Sequence, residues 1–173
     1  MHLTHLIIDD FFNDPIAIRN HALSMNYPPR PEGAIYPGRN AEGSLPLPGV
    51  ERLISQMVQE PLQPKTNLSH CVPRIAMSDD LAKTSVHIDI CHWSAIVYLS
   101  LDEHCQGEAL DSILAEDESD LSKWEKTMTI PMKFNRLVLF RGYMWHDAGK
   151  AFGTTPETGR LILPMFFGNT QTG

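Results

Sequence analysis

From residue 69 onward the chain is written in short apolar or alternating runs, HCVPRIAM, TSVHIDI, SAIVYLSL, KTMTIP, RLVLF and RLILPMFF, separated by polar or turn-like segments. Runs this short cannot each bury a core alone, and several in series close into a sandwich or a barrel. The chain is therefore expected to be mainly β over 69–168. The stretch AEDESDLSKWE, 115–125, interrupts the pattern, and its acidic run reads as a solvated loop or short helix.

The first third has another texture. HLIIDDFF reads as a short strand, and Asp14 followed by Pro15 is the pairing of an N-cap with a first helical residue. Ile18, Ala22 and Met25 recur at helical spacing, which predicts a helix over 15–25. Leu53, Ile54, Met57 and Val58 predict a second, amphipathic helix that must end near Pro61. Between them, 27–49 holds six of the thirteen prolines and reads as irregular. Such long irregular stretches in a compact domain are commonly functional. A binding lid is one use for it, with Tyr36 and Arg39 of YPGR as candidates to reach a substrate and Arg30 or Arg39 available for a carboxylate. With 173 residues one domain suffices. In it, 1–68 supplies helical and loop support and 69–168 the β core.

A formal net charge of −7 argues against a polyanionic partner, because nucleic-acid binders concentrate Lys and Arg on one face. The three cysteines, Cys71, Cys91 and Cys105, are odd in number and share no CxxC spacing, which reads as reduced thiols. MHLTHLIIDDFF lacks the basic region and apolar length of a signal peptide, and nowhere do about 18 consecutive apolar residues occur. The expectation is a cytoplasmic protein with neither nucleic acid nor membrane as partner.

Within TSVHIDI, His87 and Asp89 are two residues apart, and on a strand they point to the same face. Another histidine, His146, ends the segment NRLVLFRGYMWH, and the fifty-six residues between Asp89 and His146 let a strand leave and return beside its neighbour. Two imidazoles and a carboxylate on one side of a cation leave open positions and suit non-haem Fe(II) oxygen chemistry. The competing reading is a satisfied His–Asp hydrogen bond in the core. Fourteen residues on, Arg160 shares a strand face with Ile162, Leu161 and Leu163 taking the other. A guanidinium facing a barrel interior needs an anion, unless it forms a structural ion pair at the sheet end.

This ordered set, His87-x-Asp89, His146 and then Arg160, with NRLVLFRGYMWH around the distal histidine, resembles the Fe(II)/2-oxoglutarate-dependent dioxygenases, in particular a small single-domain member of their prolyl-hydroxylase-like branch. The resemblance covers roughly 69–168. It implies a double-stranded β-helix of the jelly-roll or cupin-like kind, with N-terminal helices buttressing it. It implies Fe(II) held by His87, Asp89 and His146 as the catalytic centre, 2-oxoglutarate anchored by Arg160, and O2 as the oxidant. The implied enzyme is an oxidoreductase, a dioxygenase or hydroxylase that oxidises a C–H bond with release of succinate and CO2. The halogenating branch lacks the carboxylate that Asp89 supplies, so its presence favours hydroxylation or a related oxidation.

Two positions depart from the family pattern. Ile162 stands where members often carry a hydroxyl residue, so Tyr98 or Ser94 is expected to supply the missing donor to the cosubstrate. CQGEAL, 105–110, stands where relatives often read Gly-Gly-Thr. Trp93, beside the ligand segment, is a further candidate to touch a small-molecule or peptide-like substrate. Two other classes remain compatible with the residues: a cupin-like metalloenzyme that does not use 2-oxoglutarate, and a non-catalytic binding module on the same fold.

Overall fold

The short runs become two antiparallel sheets. The computed structural model describes residues 3–34, 36–80, 86–105, 110–114, 125–147 and 149–170. In chain order the elements are β1 (His5–Ile8), α1 (Pro15–Ser24), β2 (Arg39–Asn40), α2 (Val50–Val58), β3 (Leu62–Pro64), β4 (Arg74–Ala76), β5 (Trp93–Tyr98), β6 (Leu110–Leu114), β7 (Glu125–Ile130), β8 (Leu137–Arg141), β9 (His146–Asp147) and β10 (Arg160–Asn169). The larger sheet runs β1-β8-β5-β10-β4-β2, with β3 on the far end of β10; the smaller runs β7-β6-β9. An antiparallel bridge between His87 and His146 adds residue 87 beyond β9.

From β4 onward the chain passes back and forth between the sheets. β4, β5, β8 and β10 lie in the larger one; residue 87, β6, β7 and β9 lie in the smaller. That winding is the double-stranded β-helix. Period-two alternation then gives the larger sheet two buried faces. Trp93, Ala95, Val97, Leu137, Leu139, Leu161, Leu163, Met165 and Phe167 join Ala22 of α1 and Val50, Ile54 and Val58 of α2 in one core. Tyr98, Val138, Phe140 and Ile162, from the other face, join Ile130, Met132 and Phe152 in a second core between the sheets.

The helices form for the reasons their sequences state. Asp14 accepts a hydrogen bond from the Ala17 amide at 3.0 Å, with Pro15 in the first turn. In α2 the buried residues are Val50, Ile54 and Val58, four apart, whereas Leu53 faces outward. The expected apolar stripe is therefore rotated away from Leu53.

Three further expectations change. Residues 86–90 make a single bridge rather than a buried strand, and Ile88 and Ile90 face outward, because this segment lies at the edge of the smaller sheet. Leu110–Leu114, which lies between the expected runs SAIVYLSL and KTMTIP and is not among them, is a strand paired on both sides by β7 and β9. Ladder pairing overrides an indifferent local propensity there. The 27–49 segment is not wholly irregular, since Arg39 and Asn40 pair with β4 as an edge strand. Gly38 makes that approach possible: its φ is +82°, and a Cβ there would come within 2.2 Å of the Ile75 carbonyl oxygen. Thr84, Ser85, the 106–109 part of CQGEAL and most of the acidic run lie outside the described residues.

Candidate metal centre

His87 and His146 meet across the bridge, each amide donating to the other's carbonyl at 2.9 Å, and their rings stand 4.4 Å apart between centroids. Asp89 reaches the same point by a different route. Its amide donates to the Gly142 carbonyl at 2.8 Å, where the chain turns between β8 and β9. Gly142 must be glycine for this contact, because a Cβ would stand 2.4 Å from the Cys91 carbonyl oxygen and 2.8 Å from that of Asp89. The convergence read from a two-residue spacing is thus built by a bridge and a turn.

Asp89 Oδ1 lies 3.8 Å from His87 Nε2, and Oδ2 lies 3.5 Å from His146 Nε2. These separations are too wide for good hydrogen bonds. They fit donor atoms gathered around a cation, and one donor atom from each of the three residues lies within 4.8 Å of the others. His146 supports that fit independently. Its Nδ1 sits 2.9 Å from the Met144 carbonyl and donates to it, which leaves the Nε2 lone pair turned toward Asp89. Burial, opposed by the Asp89 charge, holds its pKa below the usual histidine value and so favours the neutral ligand form. Phe140 packs edge-on against that ring at 4.6 Å and fixes its plane. His146 is buried, whereas the His87 side chain is 37% exposed, so the centre opens on the His87 side.

Ser94 faces the centre, but its hydroxyl is already committed. It donates to Asp89 Oδ2 at 2.6 Å. The neighbouring Cys91 thiol, pushed up to about 11 chiefly by burial, stays protonated, donates to the Trp93 carbonyl at 3.3 Å and lies 3.0 Å from the Ser94 oxygen. Ser94 therefore orients a candidate ligand instead of waiting for a cosubstrate.

Arg160 and Tyr98 occupy the space between the sheets. Ile162 pairs with Tyr98 in register, so Tyr98, Ile162 and Arg160 share the inner face. Arg160 is 3% exposed, and its Nη1 donates to the Gly149 carbonyl at 2.9 Å. Burial lowers its pKa, with Tyr98 and Asp147 acting in the opposite sense. The Tyr98 hydroxyl is buried and has no hydrogen-bond partner among the described residues, and burial raises its pKa, which keeps it a donor. A buried guanidinium beside an orphaned phenol suits one carboxylate end of a dicarboxylate.

Trp93 cannot touch a substrate. It is fully buried on the opposite face of β5, its indole donates to Glu60 at 3.2 Å, and the Arg141 guanidinium stacks on its ring at 4.0 Å. Arg39 pairs in register with Ile75, so its side chain leaves the face opposite to Asn40 and the centre. Arg30 donates from Nη1 to the Tyr36 carbonyl at 3.0 Å and so braces the loop. Tyr36 does face inward, its ring under the guanidinium of Arg74 at 3.9 Å. Arg74 escaped the sequence reading because RIA is too short a run to show which face it takes; pairing with Ile162 decides that.

Fold and donor set together define a class: a double-stranded β-helix carrying a two-histidine, one-carboxylate centre in the mouth between its sheets. Three solved structures are similar to this fold. The alpha ketoglutarate dependent epimerase SnoN of nogalamycin biosynthesis is 12% identical, with a TM-score of 0.62 over 96% of this chain and 78% of that one. HygX from Streptomyces hygroscopicus, solved with nickel and 2-oxoglutarate bound, is 10% identical, with a TM-score of 0.57 over 96% and 83%. A Pseudomonas putida prolyl-4-hydroxylase is 17% identical, with a TM-score of 0.50 over 96% and 92%. At these identities the likeness is one of fold. No protein-family model and no curated protein matches the chain. Among the described residues, no helix is long and apolar enough to cross a membrane.

Proposed function

We propose that this protein is an Fe(II)- and 2-oxoglutarate-dependent oxygenase that oxidises a C–H bond of a small-molecule or peptide-like substrate. One observation carries the reading: Ser94, which holds Asp89 of the His87, Asp89 and His146 donor set, shares the inner face of β5 with an orphaned Tyr98 hydroxyl, and a buried Arg160 lies on the same inner face of β10. A metal would explain the first group, and an elongated anion reaching inward would satisfy the orphaned Tyr98 hydroxyl beside Arg160 in the second. His87 and His146 would hold Fe(II) through Nε2 and Asp89 through a carboxylate oxygen, with Ser94 and Met144 fixing their orientation. Arg160 and Tyr98 would hold the distal carboxylate of 2-oxoglutarate. Bound iron and 2-oxoglutarate supply the oxygen activation, with succinate and CO2 as co-products. Phe140 and Ile162 exclude water from the inner end, which strengthens each of these charge interactions.

The test is anaerobic reconstitution with Fe(II) and 2-oxoglutarate. The expected result is a weak visible charge-transfer band that saturates with 2-oxoglutarate, and succinate formation on admitting air. Metal binding with no band and no succinate would move the centre to the cupin-like class that does not use 2-oxoglutarate. A folded protein that takes up no divalent metal would leave a binding module.

A further inference from the structure

Arg74 is a second guanidinium on the inner face, and the mechanism above makes no use of it. Its register partner is Ile162, which is also the partner of Tyr98 on the other side, so Arg74, Ile162 and Tyr98 form one row across three strands. Asp89 and Arg160 are both near enough to act on its charge. Burial draws its pKa down to about 10, which still leaves it charged at neutral pH.

The surroundings of Arg74 hold it without neutralising it. Its Nε donates to Asn40 Oδ1 at 2.8 Å, and one face of its guanidinium lies on the Tyr36 ring. Asn40 is itself locked, its Nδ2 donating to the Tyr36 hydroxyl at 3.2 Å and to Ser69 Oγ at 3.1 Å. No described carboxylate lies within ion-pair distance of Arg74, and its hydrogen bond and its stacking contact leave the two terminal nitrogens for another acceptor. A partly buried, immobilised cation with its donor edge open is costly for a fold to keep unless an anion comes to it.

We propose that Arg74, held by Tyr36 and Asn40, binds a carboxylate of the substrate and thereby sets which carbon faces the metal. The end-on Nη1/Nη2 edge matches two oxygens in one plane. A single positive charge beside the Asp89 anion suits a monoanionic carboxylate better than a phosphate dianion. The role that Arg30 and Arg39 were expected to take passes to Arg74. The inference rests on the oxygenase reading for the meaning of the centre, but the anion site can be tested separately.

The experiment follows the arginine Nε–H and backbone amide resonances of the full chain during titration with benzoate, and with benzamide as a neutral isostere. It is run on the protein alone and on the protein loaded with Zn(II) and 2-oxoglutarate. Loss of one signal in Arg74→Lys assigns Arg74. In the loaded protein benzoate should shift the Arg74 and Asn40 signals saturably while Arg39, on the other face, stays still, and benzamide should do nothing. Arg74→Gln should weaken benzoate about ten- to a hundredfold, as for loss of one charge-assisted pair, and Arg74→Lys should recover part of that. If 2-oxoglutarate itself shifts Arg74 and blocks benzoate, Arg74 is a cosubstrate contact: the proposal falls and the oxygenase reading stands. Benzoate binding that Arg74→Gln leaves unchanged is coordination to the metal and also overturns it. A chain that binds neither Zn(II) nor 2-oxoglutarate removes the oxygenase reading, and the benzoate titration of the unloaded protein then decides the anion site by itself.

Discussion

Ser94→Ala separates two roles for one hydroxyl. In the structure Ser94 Oγ donates to Asp89 Oδ2 over 2.6 Å; Ser94 is buried, and the Asp89 side chain is 19% exposed. A hydrogen bond to a charged acceptor is worth about 1.5–3 kcal/mol net, and because water can still reach Asp89 the lower end applies. A loss of about 1.5 kcal/mol corresponds to roughly a tenfold weaker grip on the metal, within the range found when the partner of a metal ligand is removed. Competition against a chromogenic chelator with Zn(II) or Co(II) measures it. The affinity of the metal-loaded protein for 2-oxoglutarate should not change, since Arg160 and Tyr98 are untouched. In an Asp89→Asn background the Ser94→Ala step should cost much less, because the charge that made the bond strong is gone. Unchanged metal affinity combined with weakened 2-oxoglutarate binding would refute this reasoning and return Ser94 to the cosubstrate role that the sequence suggested.

Arg160→Leu should weaken 2-oxoglutarate by roughly thirty- to several-thousand-fold, with Arg160→Lys recovering part and metal affinity nearly constant, read by titrating the Fe(II) chelate band; equal 2-oxoglutarate affinity in parent and Arg160→Leu removes the anchor. Gly142→Ala should destabilise the fold by about 1–3 kcal/mol and weaken metal binding as well, since its Cβ displaces the Asp89 and Cys91 carbonyls; denaturant unfolding and the chelator assay report the two effects, and a neutral outcome in both would mean the turn has room to move. Glu60 is held at about 2 by Arg141 first, against its burial, with His92 and Trp93 also donating. Because its folded pKa is depressed, its contribution is fully present above about pH 4.5 and is lost as pH falls toward 2, amounting to roughly 2–3 kcal/mol. Urea unfolding at pH 5 and pH 3 should show about half of that loss in the parent and much less of it in Glu60→Gln; the same loss in both would assign it to other carboxylates.

The β character of 69–168, the first helix with its Asp14–Pro15 start, and the order His87, Asp89, His146, Arg160 are all legible in the residues themselves. Each rests on local signals: period-two alternation, a capping pair, and donor types at fixed separations. Which face a side chain takes in a two- or three-residue strand is not local. It depends on the neighbour in the ladder, and so Arg74 was invisible, Arg39, a candidate to reach substrate, lies on the face away from the centre, and Trp93 belongs to the helix-side core. The same holds for the centre. His87 and Asp89 meet His146 because a bridge at the sheet edge and the Gly142 turn bring them there, contacts between segments some fifty residues apart that no short window of sequence contains. The donors' identities are covalent facts of the chain, whereas their convergence, and the commitment of Ser94 to Asp89, arise only when the sheets close and bury them together.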